Sequence, residues 1–468
     1  MFLLTDEQKE IIEISKNLKA NEILKINACA GSGKTFTLKQ IAVENKDKNI
    51  LYIAFNKKIA EEIKNKMPKN VDVKTIHSLA YAYAKNKLGK FEVISSYKIF
   101  DIAPFFKNLK TEDLFIILTN FENFLKSDEK LNTLNYINYI WNLVLDYEIP
   151  ISHNFYLKYY QLSQDKELDH KYDIIMLDEA QDTNATMLNI FLNNNCSKIL
   201  VGDTYQNIYG FNKTINALDI VKSDYSKNLS KNFRSKQSIL DYVDLLLDNF
   251  SEQFCIKRVK MKSSLDEVKD TIDNKAYITR TNAGIIEFIS QIIDDEKINL
   301  NDYCLIKEPN SIFNIIFDIF NFMSNNFYLI SKENSFLKHF NSMLELRNYA
   351  EKSLDIDLIR SLYLIEKKYD FRKIRKKAQE LFLNNKTAKY FITNAHISKG
   401  LEWDEIELLN DFPDLKKIKH TIENEKNYKI KHNLQNSFRQ ELNLYYVAMT
   451  RAKMKLIDNT HNALKEYL

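Results

Sequence analysis

At 468 residues the chain exceeds what one hydrophobic core normally sustains, so two or more domains are expected. Its 45% hydrophobic and 28% charged content describes a soluble globular protein, and it shows neither a membrane-spanning run of about eighteen apolar residues nor a leader with a charged start and apolar middle. A formal charge of +4 is nearly balanced, so any affinity for nucleic acid must come from local clustering of cations.

The four cysteines, Cys29, Cys196, Cys255 and Cys304, are widely spaced, which argues against a zinc ribbon, an iron–sulfur cluster or a disulfide framework. Reduced thiols in an intracellular, cytoplasmic protein are expected. Glycine is scarce, and five of the seven, Gly31, Gly33, Gly202, Gly210 and Gly400, fall inside the motifs below. It is kept mainly where backbone geometry demands it.

In chain order, Leu4-Thr5-Asp6-Glu7-Gln8 opens an amphipathic helix with Thr5 or Asp6 as N-cap. The Gln8 amide, donor and acceptor at once, can read adenine, although such a glutamine is more commonly a solvated helix residue. An apolar run, Ile23 to Ile26, then enters Asn27-Ala28-Cys29-Ala30-Gly31-Ser32-Gly33-Lys34-Thr35, followed by a helical segment from Phe36 to Val43. Strand, tight loop and helix start are the context of a phosphate-binding loop. Small residues let successive N–H groups point at an anion, Lys34 supplies a mobile charge, and Thr35 offers a hydroxyl to Mg²⁺. Ala28 stands where the first glycine of the usual pattern is expected.

A buried-type strand, Ile50 to Ala54, ends in Phe55-Asn56-Lys57-Lys58, and Val71 to Lys74 leads into Thr75-Ile76-His77-Ser78. Residues 80–171 are helix-rich and aromatic, with Pro104 and Pro150 as punctuation, and read as a helical insertion. The strand pattern resumes at Tyr172 to Leu177 and delivers Asp178-Glu179-Ala180-Gln181-Asp182, where Asp178 can hold Mg²⁺ and Glu179 can accept a proton from water. Lys198 to Val201 then runs into Gly202-Asp203-Thr204-Tyr205-Gln206, with Gln206 as γ-phosphate sensor and the Tyr209 and Phe211 rings as stacking faces for a base. Arg234, beside Phe233, is a candidate arginine finger.

This ordered set resembles that of superfamily 1 DNA helicases of the UvrD/Rep type. The likeness continues through Tyr277-Ile278-Thr279-Arg280-Thr281-Asn282, through Thr393-Asn394-Ala395-His396 to Asp404, and through Glu441 to Lys453. The Asp178–Asp182 form and His153 to Lys158 are most similar to the helicase core of F-box DNA helicases, with no F-box expected ahead of Gln8.

The resemblance implies an α/β fold of two RecA-like domains with parallel sheets, each carrying a helical insertion. Residues 1–79 and 168–236 would form the first, with its insertion at 80–167; residues 237–302 and 386–468 the second, with a reduced insertion at 303–385. Mg-ATP would be held between them, with Lys34, Thr35, Asp178, Glu179 and Gln206 from the first domain and Arg234 and Arg451 as fingers. Phe233 would stack on adenine and Glu402 would bond the ribose. Single-stranded DNA would cross Phe55, Asn56, His77, Tyr209, Phe211, Arg280 and His396, with 3′-to-5′ polarity.

Two departures from the family pattern stand out. Asn212-Lys213-Thr214 follows Phe211 where Arg-Gly-Ala is usual, and Phe36 follows Thr35 where many relatives have Arg, which bears on one side of the adenine site. Only 112 positions separate Thr281 from Thr393, hence the reduced second insertion; its Arg372–Lys377 run could contact duplex phosphate, with a solvated helix face the favoured reading. With 15 residues after Lys453, no nuclease domain or recruitment tail is expected. The expectation is an ATP-dependent helicase acting on single-stranded and 3′-tailed duplex DNA in repair or recombination. The alternative is a DNA-sensing ATPase subunit of a nuclease or phage-defence complex. The Lys-, Asn- and Ile-rich usage suggests an AT-rich bacterial or phage genome.

Overall fold

The computed structural model describes residues 3–464 except 108, 132–134, 164, 166, 209, 211–213, 252–258, 266–270, 354, 368 and 385–387. Two compact units, Met1–Ser230 and Lys231–Leu468, divide the chain.

The first unit is built on six parallel strands in the order Val71–Lys74, Ile50–Ile53, Ile174–Leu177, Ser197–Gly202, Ile23–Ala28, Tyr225–Leu229. The three in the middle of the chain's apolar runs, Ile50–Ile53, Ile174–Leu177 and Ser197–Gly202, are buried at every position, as strands covered on both faces must be. One cover comprises the helices Asp6–Asn17 and Lys34–Glu44, whose Ile11, Ile12, Leu38 and Ile41 pack on Leu24, Ile26, Tyr52 and Val201. The other is the helical segment, in which Ile76–Leu88, Thr111–Leu125, Asn135–Leu145 and His153–Ser163 share one apolar core with Leu51, Ile53, Ile175, Leu177 and Leu200. This segment is therefore fused to the sheet rather than standing apart. Because all strands run the same way, the loops after Ala28, Ile53, Leu177 and Gly202 emerge at one edge, where ligands of such sheets bind.

The second unit has five parallel strands in the order Tyr303–Leu305, Tyr390–Asn394, Lys275–Thr279, Trp403–Leu408, Ala452–Asp458. Two sequence-based boundaries move. Tyr303–Leu305 belongs to the sheet, so the helical segment starts later, at Pro309–Met323, and its helices share a core with Asn282–Asp294. The division between units falls at Ser230 rather than after residue 236. The cause is local: Lys231–Asn232 pairs with Lys262–Ser263, the Ser235 hydroxyl donates to the Ala452 carbonyl at 2.5 Å, and the Lys236 amide donates to the Lys453 carbonyl at 2.9 Å. Phe233 and Arg234 thus belong to the second unit.

Candidate nucleotide and nucleic-acid site

The strand Ile23–Ala28 ends in a loop whose turn needs left-handed backbone, at Gly31 (φ 68°) and at Gly33 (φ 77°, ψ 36°), the N-cap of the Lys34–Glu44 helix. Glycine adopts both without the steric cost a Cβ brings. Among the described residues no side chain caps this helix, and the buried Ser32 hydroxyl has no hydrogen-bond partner. A helix start without a side-chain cap and an orphaned hydroxyl on a glycine-built curl fit a nucleotide phosphate. Ala28 is buried beside Cys29 and Ala30, and Phe36 is half-buried.

Lys34 Nζ lies 3.7 Å from Glu179 Oε1. Glu179 sits in the left-handed region (φ 51°, ψ 45°), an uncommon conformation for a residue with a side chain and one that clusters at functional sites. Asp178 is buried; one oxygen accepts the Glu179 amide at 2.9 Å and the other accepts the Tyr52 hydroxyl. Burial first, then the Glu179 charge, pushes the Asp178 carboxyl up to about 6, against the pull of Tyr52 and Lys34. A divalent cation beside Asp178 and Thr35 would supply the missing positive charge.

Three residues at this edge were not singled out in the sequence: Tyr52, Gln181 and Asp203. Gln181 donates to Glu179 Oε2 at 2.5 Å and to Asp182 Oδ2 at 3.3 Å, and its Oε1 accepts the Asp203 amide at 3.1 Å. Asp203 in turn accepts Gln206 Nε2 at 2.8 Å. Glu179 and Gln206, ends of adjacent strands, are thus linked by one polar chain. Gln181 was visible as part of the quoted acidic motif; Tyr52 carried no signal beyond its apolar strand.

Gln8 is buried, and both ends of its amide are engaged: Oε1 accepts the Thr5 amide at 3.0 Å and Nε2 donates to the Thr37 hydroxyl at 3.2 Å. It completes the capping box of the first helix and braces the loop helix, in place of the solvated position expected of a lone glutamine.

Of the residues expected on DNA, Phe55 is 41% exposed, and Asn56 caps the Lys57–Lys64 helix by accepting the Ile59 amide at 3.0 Å. His77 meets Tyr156 and His153 edge-on, with ring centroids 6.2 and 6.4 Å away; burial and then the His153 charge lower it to about 4. Tyr209 and Phe211 lie outside the described residues, as do Asn212 and Lys213.

In the second unit, Arg234 Nε donates to Glu402 Oε2 at 2.8 Å and Nη1 to the Thr450 carbonyl at 3.1 Å, while Lys453 reaches Glu402 at 2.9 Å. Burial opposes ionisation of Glu402, but Lys453 and Arg234 hold its carboxyl below the usual range. Arg451 is buried, donating from Nε to the Val447 carbonyl at 2.9 Å and from Nη2 to the Thr450 hydroxyl at 3.1 Å. Phe233 is 45% exposed.

Arg280 requires a correction. Its guanidinium is not presented to solvent for a DNA phosphate: it is 8% exposed, donates twice to Glu441 at 2.7 Å and once to Asp357 at 3.1 Å. His396, nearby and half-buried, is lowered to about 4 by burial and then by the Arg280 charge.

A phosphate loop and an acidic strand end on a parallel sheet, followed by a second parallel α/β unit, define the core of a P-loop NTPase. The AAA domain family matches residues 8–212, and the UvrD-like helicase C-terminal domain family matches residues 331–462. These matches, with the relatives below, support a UvrD-like superfamily 1 helicase core. It is 28% identical over 510 residues to F-box DNA helicase 1 of Gallus gallus (97% of this chain, 49% of the relative). It is 28% identical over 520 residues to F-box DNA helicase protein 1 of Schizosaccharomyces pombe (97% and 57%). The ATP-dependent DNA helicase Rep of Buchnera aphidicola is 27% identical over 322 residues (56% and 46%). The chain spans about half the length of the relatives it matches. Among the described residues no helix is long and apolar enough to cross a membrane.

Proposed function

We propose that the chain is an ATP-dependent DNA helicase that moves 3′ to 5′ on single-stranded DNA and acts in repair or recombination. The observation that carries this reading is Glu179, held in a left-handed turn 3.7 Å from Lys34 at the mouth of a glycine-built anion loop. The loop amides and Lys34 bind the phosphates, and Glu179 takes a proton from the attacking water. Thr35 and Asp178 would hold Mg²⁺, whose chemistry is to neutralise phosphate charge. Arg234 and Arg451 are proposed as the cations acting on the γ-phosphoryl group, and Gln206 as its sensor. Support for DNA as the substrate comes from the relatives, named as DNA helicases, and from Phe55, Asn56 and His77 along the same sheet edge.

The test is ATP hydrolysis with and without single-stranded DNA, beside strand displacement on a 3′-tailed duplex, with Glu179→Gln as control. Stimulated hydrolysis with displacement, both lost in the control, supports the reading. Stimulation without displacement favours the DNA-sensing subunit that needs a nuclease or other partner. Hydrolysis indifferent to DNA overturns it.

A further inference from the structure

Between the strand Trp403–Leu408 and the end of the second unit, the chain forms two packed helices, Leu415–Asn424 and Tyr428–Met449. Residues 415–432 hold Lys416, Lys417, Lys419, Lys426, Lys429 and Lys431 against Glu423 and Glu425. That excess equals the formal +4 of the entire chain, so the other 450 residues sum to zero. The Arg372–Lys377 run is a second local excess of cations.

The hairpin's apolar residues Leu415, Ile422, Phe438 and Leu442 are buried, which fixes the helices and leaves the cations outward. Lys416, Lys417, Lys426, Lys429, His420 and His432 are exposed. Lys417 reaches Asp414 at 3.8 Å; among the described residues the other five lysines form no ion pair. Tyr428 is 82% exposed, its ring 14° from parallel to His432. The Arg372–Lys377 run differs: Arg375 bonds Asn310 at 2.6 Å and lies over Phe317, Lys377 pairs with Glu380 at 2.6 Å, and Lys373 reaches Asp294 at 3.6 Å. Three of the five cations in that run therefore already have partners within the fold.

We infer that the 415–432 hairpin is a second nucleic-acid surface, one that tracks the phosphates of double-stranded DNA. It rests on the reading of the chain as a DNA-acting enzyme and adds duplex binding to it. Unpaired lysines on an outward helical face suit a polyanion with one charge per roughly 1.7 Å of axis. Single-strand platforms need successive aromatic faces, and here the one exposed aromatic ring already lies against its own histidine. An anionic membrane needs a continuous apolar flank, whereas among the described residues of the hairpin Ile430 is the one exposed aliphatic side chain, at 48%, with Leu415 and Ile422 buried.

The experiment measures binding of a blunt duplex by the full chain across a range of salt concentrations. The comparison is with a variant carrying Lys416→Gln, Lys419→Gln, Lys426→Gln and Lys429→Gln, and with the matching lysine-to-arginine set, which keeps the charge. The glutamine set is expected to make the slope of log affinity against log salt shallower by about 0.9 for each phosphate no longer neutralised, roughly 2–4 in all. The arginine set keeps the slope, and so does removal of charge at Lys373 and Lys377, which are paired within the fold. An unchanged slope in the glutamine set, or a parent chain that ignores blunt duplex, overturns the inference. So does preference for phosphatidylserine vesicles over duplex. Single-strand-stimulated ATP hydrolysis by the parent is scored separately: its absence sinks the helicase reading while salt-dependent duplex binding through the hairpin stands.

Discussion

The Gln181 side chain donates to Glu179 Oε2 at 2.5 Å while its own oxygen receives the Asp203 amide at 3.1 Å. One buried amide therefore holds the proposed general base by one end and the neighbouring strand's loop by the other. Replacing it with Met keeps the volume and removes both bonds. Misplacing a catalytic group by about 1 Å costs up to roughly 100-fold in rate, so Gln181→Met should lower kcat for ATP at least tenfold. KM for ATP should stay within about twofold, because the phosphate loop is untouched. Steady-state kinetics with saturating single-stranded DNA decides; an unaltered kcat would remove Gln181 as a positioning residue.

Gly202 faces that same amide. A Cβ built there lies 2.3 Å from Gln181 Oε1 and 3.1 Å from the Ala180 amide nitrogen, a close approach with backbone on one side. Gly202→Ala should cost about 1–3 kcal/mol of stability, as overpacking of a filled site does. Denaturant unfolding with an unchanged slope is the measurement. The expected companion effect is a kcat loss like that of Gln181→Met, since the glutamine must move to make room.

Arg280 and Glu441 form a buried, two-point ion pair within the second unit, with Asp357 completing the guanidinium's bonds. Removing one partner leaves the other charge buried and unpaired, which costs about 3–5 kcal/mol. Arg280→Met should therefore unfold the second unit at a markedly lower denaturant concentration. Single-strand affinity, read at a temperature where the variant is folded, should move less than twofold. A large loss of affinity with unaltered stability would return Arg280 to the DNA-binding residues.

What could be read from the sequence was whatever depends on neighbours in the chain. An apolar strand followed at once by Gly31, Gly33 and Lys34, or by Asp178 and Glu179, carries its own context, and parallel strands then bring those ends to one edge without further information. Arg280 was misjudged because its partners, Glu441 and Asp357, are 161 and 77 positions away, and an arginine beside a Thr-Asn helix cap looks the same whether it faces solvent or a buried carboxylate. The boundary at Ser230 was hidden for a similar reason: Lys231 to Lys236 bond to residues 262–263 and 450–453. The charge of the 415–432 hairpin was legible in principle, but its significance depends on which lysines the fold pairs elsewhere.

His77 is the remaining DNA candidate whose chemistry the structure sharpens. Lowered to about 4 by burial and by His153, against 6.5 for a free imidazole, it is neutral at physiological pH. It can stack or exchange hydrogen bonds, but it does not neutralise a phosphate. His77→Gln should therefore weaken single-strand binding without changing its dependence on salt, whereas removal of a cation bound to phosphate would make the salt slope shallower by about 0.7. The same shift sets a pH dependence. Between pH 6.5 and about 4 the unfolded chain gains a proton at this site and the folded chain does not, so the contribution of His77 to stability falls as pH drops through that window. Unfolding free energies of parent and His77→Gln, measured from pH 7 to pH 4, should converge towards acid as the parent loses this contribution. Curves that stay parallel would mean that His77 titrates as an exposed histidine.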